Sequence, residues 1–150
     1  MGKHEIDEQA WSAADAETIY ELLCDGATWP TWSGIDSFVL REPAADEPEG
    51  LGAIREFHTG RSTSIERIVE KVPGQRFSYT LLEGLPLRDY RADVDLTPKD
   101  GGTLIRWHST FDAKRPGTGW LFRRVLGKFI RDCVKGLAAH GATMAATREA

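Results

Sequence analysis

The chain has 150 residues, 41% of them hydrophobic, which is enough for one domain with a real core and too few for two. A net charge of −4 and an isoelectric point near 5.6 exclude a general nucleic-acid binder, which needs a basic surface. Cys24 and Cys133 stand alone without CxxC spacing, a usage that fits a reducing compartment better than a disulfide scaffold.

No apolar run approaches the roughly 20 residues that span a bilayer, so stable membrane insertion is not expected. The polar, acidic start "MGKHEIDEQ" does not resemble a signal peptide. These features read as a single cytoplasmic domain over residues 1–150, without repeat or linker.

In chain order, "KHEIDEQAWSA" reads as an opening strand and "DAETIYELLCDG" as a helix. Asp15 is placed to cap that helix, Ile19, Leu22 and Leu23 give it an apolar side, and Gly26 is expected to stop it in a left-handed conformation. "TWPTWS" follows as a one-turn helix, capped by Thr28, in which Pro30 is tolerated because a first turn does not need its missing N–H. Two of the five tryptophans, Trp29 and Trp32, sit in this turn-rich stretch, which suggests a plug closing the end of something hollow.

From there the period switches to two. "IDSFVLR", "LGAIREFHT", "STSIERIVEKV", "QRFSYTLLEG", "LRDYRADVDLT" and "TLIRWHSTFD" read as strands separated by turn residues, and their short connections imply an antiparallel meander. Closing the last hairpin with Leu96 opposite Thr103 puts Ala92, Val94, Ile105 and Trp107 on one face. Closing the middle hairpins with Thr59 opposite Ser62 and Val72 opposite Gln75 collects Ala53, Phe57, Ile68, Tyr79 and Leu81 on one face, along with Arg55 and Glu66. That face has more aromatic area and is taken as the inner one. His58 and His108 then point outward, no metal-ligand spacing is present, and no metal or cofactor is expected.

The last segment, "GWLFRRVLGKFIRDCVKGLAAHGATMAA", predicts a helix of about 25 residues. Phe122, Val125, Leu126, Phe129, Ile130, Cys133 and Leu137 fall within an arc of about 140°, opposite Arg124, Lys128, Arg131 and Lys135. The apolar stripe must pack on the sheet. The basic stripe is read first as a solvated face, with docking to an acidic partner or a membrane surface as the other readings.

An inner face that carries Arg55, Glu66, Arg88 and Tyr90 is unusual for a plain core, because burying charge costs several kcal/mol per ion. Either Arg55 and Glu66 form a buried bridge, or the face lines a cavity whose polar groups orient an apolar ligand. Next to Arg55, the Glu66 carboxyl is expected to be held low, which would make it a poorer base.

The segments "DAETIYELLCDGATWPTWS", "GLGAIREF", "ERIVEKVPGQRFSYTL" and "DGGTLIRWHSTF", in that order, resemble the polyketide cyclase/dehydrase branch of the START-like, or helix-grip, superfamily, which also includes lipid-transfer domains and birch-pollen allergens. The resemblance covers nearly the whole chain. It implies an α+β fold with a curved antiparallel sheet of about seven strands gripping a long C-terminal helix, and two short helices after the first strand. It also implies an internal cavity for a lipid, polyketide or aromatic metabolite. The residues expected to line it are Arg55, Phe57, Glu66, Ile68, Tyr79, Leu81, Arg88, Tyr90, Trp107, Phe122, Leu126 and Phe129. The alternative is an aromatase/cyclase or dehydratase acting on a poly-β-ketone, with Arg55, Arg88, Tyr79 or Tyr90 stabilising an enolate and Glu66 taking the α-proton. No catalytic role is carried over from the relatives, and homodimerisation through an exposed strand edge stays open.

Overall fold

The computed structural model describes residues 3–149. Strand β1 (His4–Ser12) is followed by helix α1 (Ala16–Cys24), a single 3-10 turn (Gly26–Thr28) and the one-turn helix α2 (Trp29–Trp32). Asp15 caps α1 as its position predicts, accepting a 2.8 Å hydrogen bond from the Thr18 amide, and Ile19, Leu22 and Leu23 are buried. Gly26 plays a different part from the one expected. The helix ends on extended Asp25, and Gly26 is not left-handed. A Cβ there would lie 2.4 Å from the Phe38 ring, and its amide bonds Glu49 Oε1 at 2.8 Å, so glycine is needed for close approach. Thr28 makes no side-chain cap bond to α2; its single hydroxyl proton instead lies within reach of both the Leu22 and Asp25 carbonyls.

Six further strands follow: β2 (Ser37–Glu42), β3 (Ile54–Thr59), β4 (Ser62–Val72), β5 (Arg76–Glu83), β6 (Leu87–Lys99) and β7 (Gly102–Ala113). With β1 they form one curved antiparallel sheet in the order β1-β7-β6-β5-β4-β3-β2. Helix α3 (Gly119–Glu149) follows at 31 residues and runs three residues past the expected segment, through Thr147–Glu149, where no proline or glycine stops it.

Turn geometry sets the registers. Thr59 faces Ser62 and Arg55 faces Glu66, as predicted. The β6–β7 hairpin closes on Asp100-Gly101, both at positive φ (50° and 78°), which makes a two-residue type I′ turn with Lys99 opposite Gly102. Leu96 therefore meets Ile105 rather than Thr103. The slip is two residues, so every side chain keeps its face. Between β4 and β5, a three-residue turn puts Val72 opposite Arg76 instead of Gln75. A bulge at Val69 absorbs the difference, and Ile68 still faces Tyr79.

A second bulge in β6 overturns the placement of Arg88. Asp89 takes φ 51°, and the register shifts between Arg88 and Arg91. Leu87 and Tyr90 are both buried as a result, and Arg88 is exposed opposite Asp112 rather than on the inner face.

The outer face of the sheet carries an ion network. Arg76 bonds Asp95 at 2.6 Å, Arg91 reaches Glu70 at 2.7 Å, and His108 sits 2.6 Å from Asp95. The core fills the inner face, between the sheet and α1, α2 and α3.

Candidate functional site

The space under α3 has a closed end and an open end. At the closed end, α2 lays Trp29 and Trp32 against the inner face of the sheet. Trp29 stacks on Phe57 at 4.8 Å and meets Trp107 edge-on at 5.6 Å, while Trp32 lies 6.2 Å from Trp107. Each indole N–H has a partner: Trp29 donates to the Leu23 carbonyl, Trp32 to Thr28 Oγ1, and Trp107 to the Tyr79 hydroxyl at 3.3 Å. All three tryptophans are at most 5% exposed. Phe57 and Ile68 are equally buried in this layer.

Arg55 belongs to the closed end too, and it is fully buried. Its guanidinium lies 4.9–5.1 Å from the ring centres of Trp29, Phe57 and Phe77, an environment that favours a cation through the ring quadrupoles. Nη1 donates to the Leu23 carbonyl at 3.1 Å, at the negative end of α1, and to Glu49 Oε1 at 3.3 Å. Nε and Nη2 have no hydrogen-bond partner among the described residues. The anticipated Arg55–Glu66 bridge does not form. The two residues face each other in register, but the long arginine side chain runs toward α1 and the loop before β3.

Glu66 is left on the other side, at the polar end of a cavity of about 60 Å³. Its walls are Leu81, Leu85, Leu126, Phe129 and Ile130, and its polar residues are Glu66, Ser64, Tyr79 and Tyr90. Glu66 Oε1 is buried without a hydrogen-bond partner among the described residues. Burial pushes its carboxyl up to about 7, and the Arg55 charge only partly opposes this. The expectation that Arg55 would hold Glu66 low is thus overturned, because desolvation outweighs an arginine that is paired elsewhere. Burial also pushes the Tyr79 and Tyr90 phenols up, so both stay neutral hydrogen-bond donors at neutral pH.

Six of the sequence-predicted residues come together around this cavity: Glu66, Tyr79, Leu81, Tyr90, Leu126 and Phe129. Arg55, Phe57, Ile68 and Trp107 lie in the packed layer beside it, Phe122 is half-buried on α3, and Arg88 is outside. Ser64, Leu85 and Ile130 were not anticipated. Ser64 sits opposite Phe57 in register and Ile130 sits on the apolar arc of α3, so both were within reach of the sequence pattern. Leu85 lies in the β5–β6 loop, where no period marks it. No cluster of three or more metal-ligating side chains occurs among the described residues.

The two halves of α3 are packed differently. From Ile130 onward, Cys133, Val134, Leu137 and Ala138 are buried, and Gly136 brings the helix so close to α2 that a Cβ would lie 1.8 Å from the Trp32 carbonyl oxygen. Before Ile130, Phe122, Leu126 and Phe129 are only half-buried, Trp120, Leu121 and Val125 are exposed, and a Cβ on Gly127 would touch nothing.

The family described as "Polyketide cyclase / dehydrase and lipid transport" matches residues 3–142 of this sequence. The chain belongs to that family. Among solved structures, a START superfamily protein from Mycobacterium smegmatis superposes with a TM-score of 0.79 at 17% identity, covering 94% of this chain and 99% of the other. A Thermobifida fusca protein solved by NMR gives 0.77 at 24% identity over 93% of each chain. The di-domain ARO/CYC StfQ from the steffimycin biosynthetic pathway gives 0.78 at 16% identity, over 96% of this chain and 52% of StfQ. At these identities the structures establish the shared START-like fold. No curated protein matches the sequence. Membership of the polyketide cyclase/dehydrase family supports a hydrophobic-ligand-binding or cyclase role. No helix among the described residues is long and apolar enough to cross a membrane.

Proposed function

We propose that the protein binds a hydrophobic small molecule, a lipid, polyketide or aromatic metabolite, between the sheet and the first half of α3. The observation that carries this reading is the contrast along α3: a cavity walled by Leu81, Leu85, Leu126 and Phe129 lies where the helix is least tightly packed. At about 60 Å³ the cavity is far below the roughly 300 Å³ or more that a ligand of this class occupies. Binding therefore requires residues 120–129 to move outward, while the half beyond Ile130 stays pinned by Gly136. Phe122, Leu126 and Phe129 supply the apolar contact, and the buried polar end at Glu66, Tyr79 and Tyr90 fixes the ligand's orientation.

One observation favours a second reading, cyclisation or dehydration of a poly-β-ketone. Glu66 combines an unpartnered oxygen with a carboxyl near 7, so it exists in both acid and base forms at neutral pH. As carboxylate it would take an α-proton from the chain. Tyr79 or Tyr90, held neutral, would donate a hydrogen bond to the enolate oxygen that develops. Arg55 and Arg88 have no part in this scheme, since one is sequestered behind aromatic rings and the other faces away from the cavity.

The experiment is native mass spectrometry of the purified protein, with extraction of whatever is released on denaturation. A lipid, quinone or aromatic polyketide in stoichiometric amount, lost in Phe129→Ala, is the expected result. A clean apo mass, together with no uptake of an anilinonaphthalene sulfonate probe, would sink the binding reading. Turnover of a poly-β-ketone that vanishes in Glu66→Gln with affinity retained would establish the second.

A further inference from the structure

Residues Lys114 to Arg131 hold six of the chain's nineteen lysines and arginines and none of its twenty-three acids, although the chain as a whole is at −4. This segment is the β7–α3 loop and the first three turns of α3. Of its cations, Arg131 pairs with Glu8 and Lys128 with Asp132 on the surface, and Arg123 Nε donates to the Glu5 carbonyl. Lys114, Arg115 and Arg124 make no ion pair with any described residue. Interspersed with these cations are three of the most exposed apolar side chains in the molecule: Trp120 at 63%, Val125 at 58% and Leu121 at 44%.

Their arrangement is specific. Taking Trp120 as zero on a helical wheel, Arg124 lies at about 40°, Lys128 at about 80°, Leu121 at about 100° and Val125 at about 140°. Phe129, part of the cavity wall, follows at about 180°, with the half-buried Phe122 beside it at about 200°. One exposed face thus mixes cations with apolar side chains, and its margin is continuous with the cavity. The β5–β6 loop lies at the same end, since the Lys114 amide bonds the Pro86 carbonyl at 3.0 Å, and Lys114 and Leu85 line one groove there.

The geometry points to this face as a docking surface for an anionic lipid surface, with Lys114, Arg115, Arg124 and Lys128 meeting headgroups while Trp120, Leu121 and Val125 enter the interfacial layer. Charge complementarity is the first argument, because the six cations of residues 114–131 share this face with a single acid of α3, Asp132, on a molecule that is acidic as a whole. The second separates a membrane from an acidic protein. A protein interface gathers apolar residues into a core with a polar rim. Here Arg124 and Lys128 separate Trp120 from Leu121 and Val125, which suits long basic side chains that snorkel and an indole at a headgroup boundary. Docking stands on the exposed residues alone. Only its use, lateral entry of an apolar ligand past Phe122 and Phe129, rests on the proposed binding function.

The test is co-sedimentation of the full chain with ligand-free phosphatidylcholine vesicles, with and without about 30% phosphatidylglycerol. Binding to the anionic vesicles at about 50 mM salt is expected, at least about tenfold weaker at about 500 mM salt or without phosphatidylglycerol. Arg124→Glu/Lys128→Glu should weaken it at least about tenfold, and Trp120→Ser/Val125→Ser several-fold. Lys99→Glu, at the opposite end of the sheet, should stay within about twofold of wild type. These residues are exposed, so unchanged circular dichroism and melting should accompany each change. No sedimentation with anionic vesicles, or an equal loss from Lys99→Glu, would overturn the proposal. So would binding to soluble polyglutamate that Trp120→Ser/Val125→Ser leaves intact, which would assign the face to an acidic protein. Docking with a clean apo mass and no uptake of the anilinonaphthalene sulfonate probe would refute the binding function and leave the docking surface standing.

Discussion

The closed and open ends of the space beneath α3 are built from the same kinds of residue and packed to different standards. At the closed end Trp29, Trp32, Trp107 and Arg55 interlock, every indole has a hydrogen-bond partner, and Gly136 lets two backbones touch. At the open end Leu126 and Phe129 are half-covered, a Cβ added to Gly127 would touch nothing, and a buried carboxylate oxygen has no partner among the described residues. Close packing is what stabilises a core, and imperfect packing is what a ligand can displace. The closed end therefore anchors the fold, and the looser packing is confined to the open end.

The sharpest way to break this contrast is at Arg55. Replacing it with methionine removes the tie between β3, the end of α1 and Glu49, leaving a mostly buried carboxylate with the Gly26 amide but without its cation; a loss of about 3 kcal/mol is expected in urea denaturation. If stability were unchanged, the closed end would not be the anchor. Glu66→Gln tests the open end in the opposite direction. The folded-state pKa of Glu66 is raised from 4.5 to about 7, so the folded protein binds the extra proton between those values and stability falls as pH rises through that window. The glutamine variant should match wild type near pH 4.5 and exceed it by about 3 kcal/mol at pH 8. A variant less stable than wild type at pH 8 would mean that the carboxylate has a partner and that the cavity end is not desolvated.

Smaller effects sharpen the comparison along α3 itself. Gly136→Ala should cost about 2 kcal/mol, because the new methyl meets the Trp32 carbonyl and a backbone has to shift. Gly127→Ala should gain up to about 1 kcal/mol, since it adds helix propensity where there is open space. Equal effects at the two glycines would erase the distinction between the halves. Hydrogen exchange should show the same division, with amides of residues 121–129 exchanging faster than those of 130–140. Added ligand should slow the first group and leave the second alone.

Much of this architecture was legible in the sequence because it rests on local chemistry. The Asp15 cap, the alternation in β6 and β7 and the apolar arc of α3 each follow from side-chain type at a fixed period. Register was harder, because it depends on backbone choices that side chains only suggest. Asp100 accepts positive φ and shortens the last turn, and two errors in the β4–β5 hairpin cancelled because the bulge at Val69 absorbs one residue. The bulge at Asp89 had no such compensation, so counting by twos placed Arg88 on the wrong face.

The site was less legible than the fold for a related reason. Register brings Arg55 and Glu66 opposite each other, yet the partner of Arg55 is Glu49, in a loop with no period to read. Once that pairing is known, the high Glu66 carboxyl follows from burial.

The tryptophan arrangement also gives each end of the molecule its own optical signature. Trp29, Trp32 and Trp107 are held 4.9–6.2 Å apart at interplanar angles of 45–78°, whereas Trp11 and Trp120 lie at the surface. Near-ultraviolet circular dichroism depends on rings fixed in an asymmetric environment, so it reports almost wholly on the closed end. Solvent-quenchable emission belongs to the two surface indoles, and Trp120 is the one on the loosely packed half of α3. The protein thus carries two separate reporters, one for the integrity of its anchor and one for the helix half that the proposed binding would displace, without any added label.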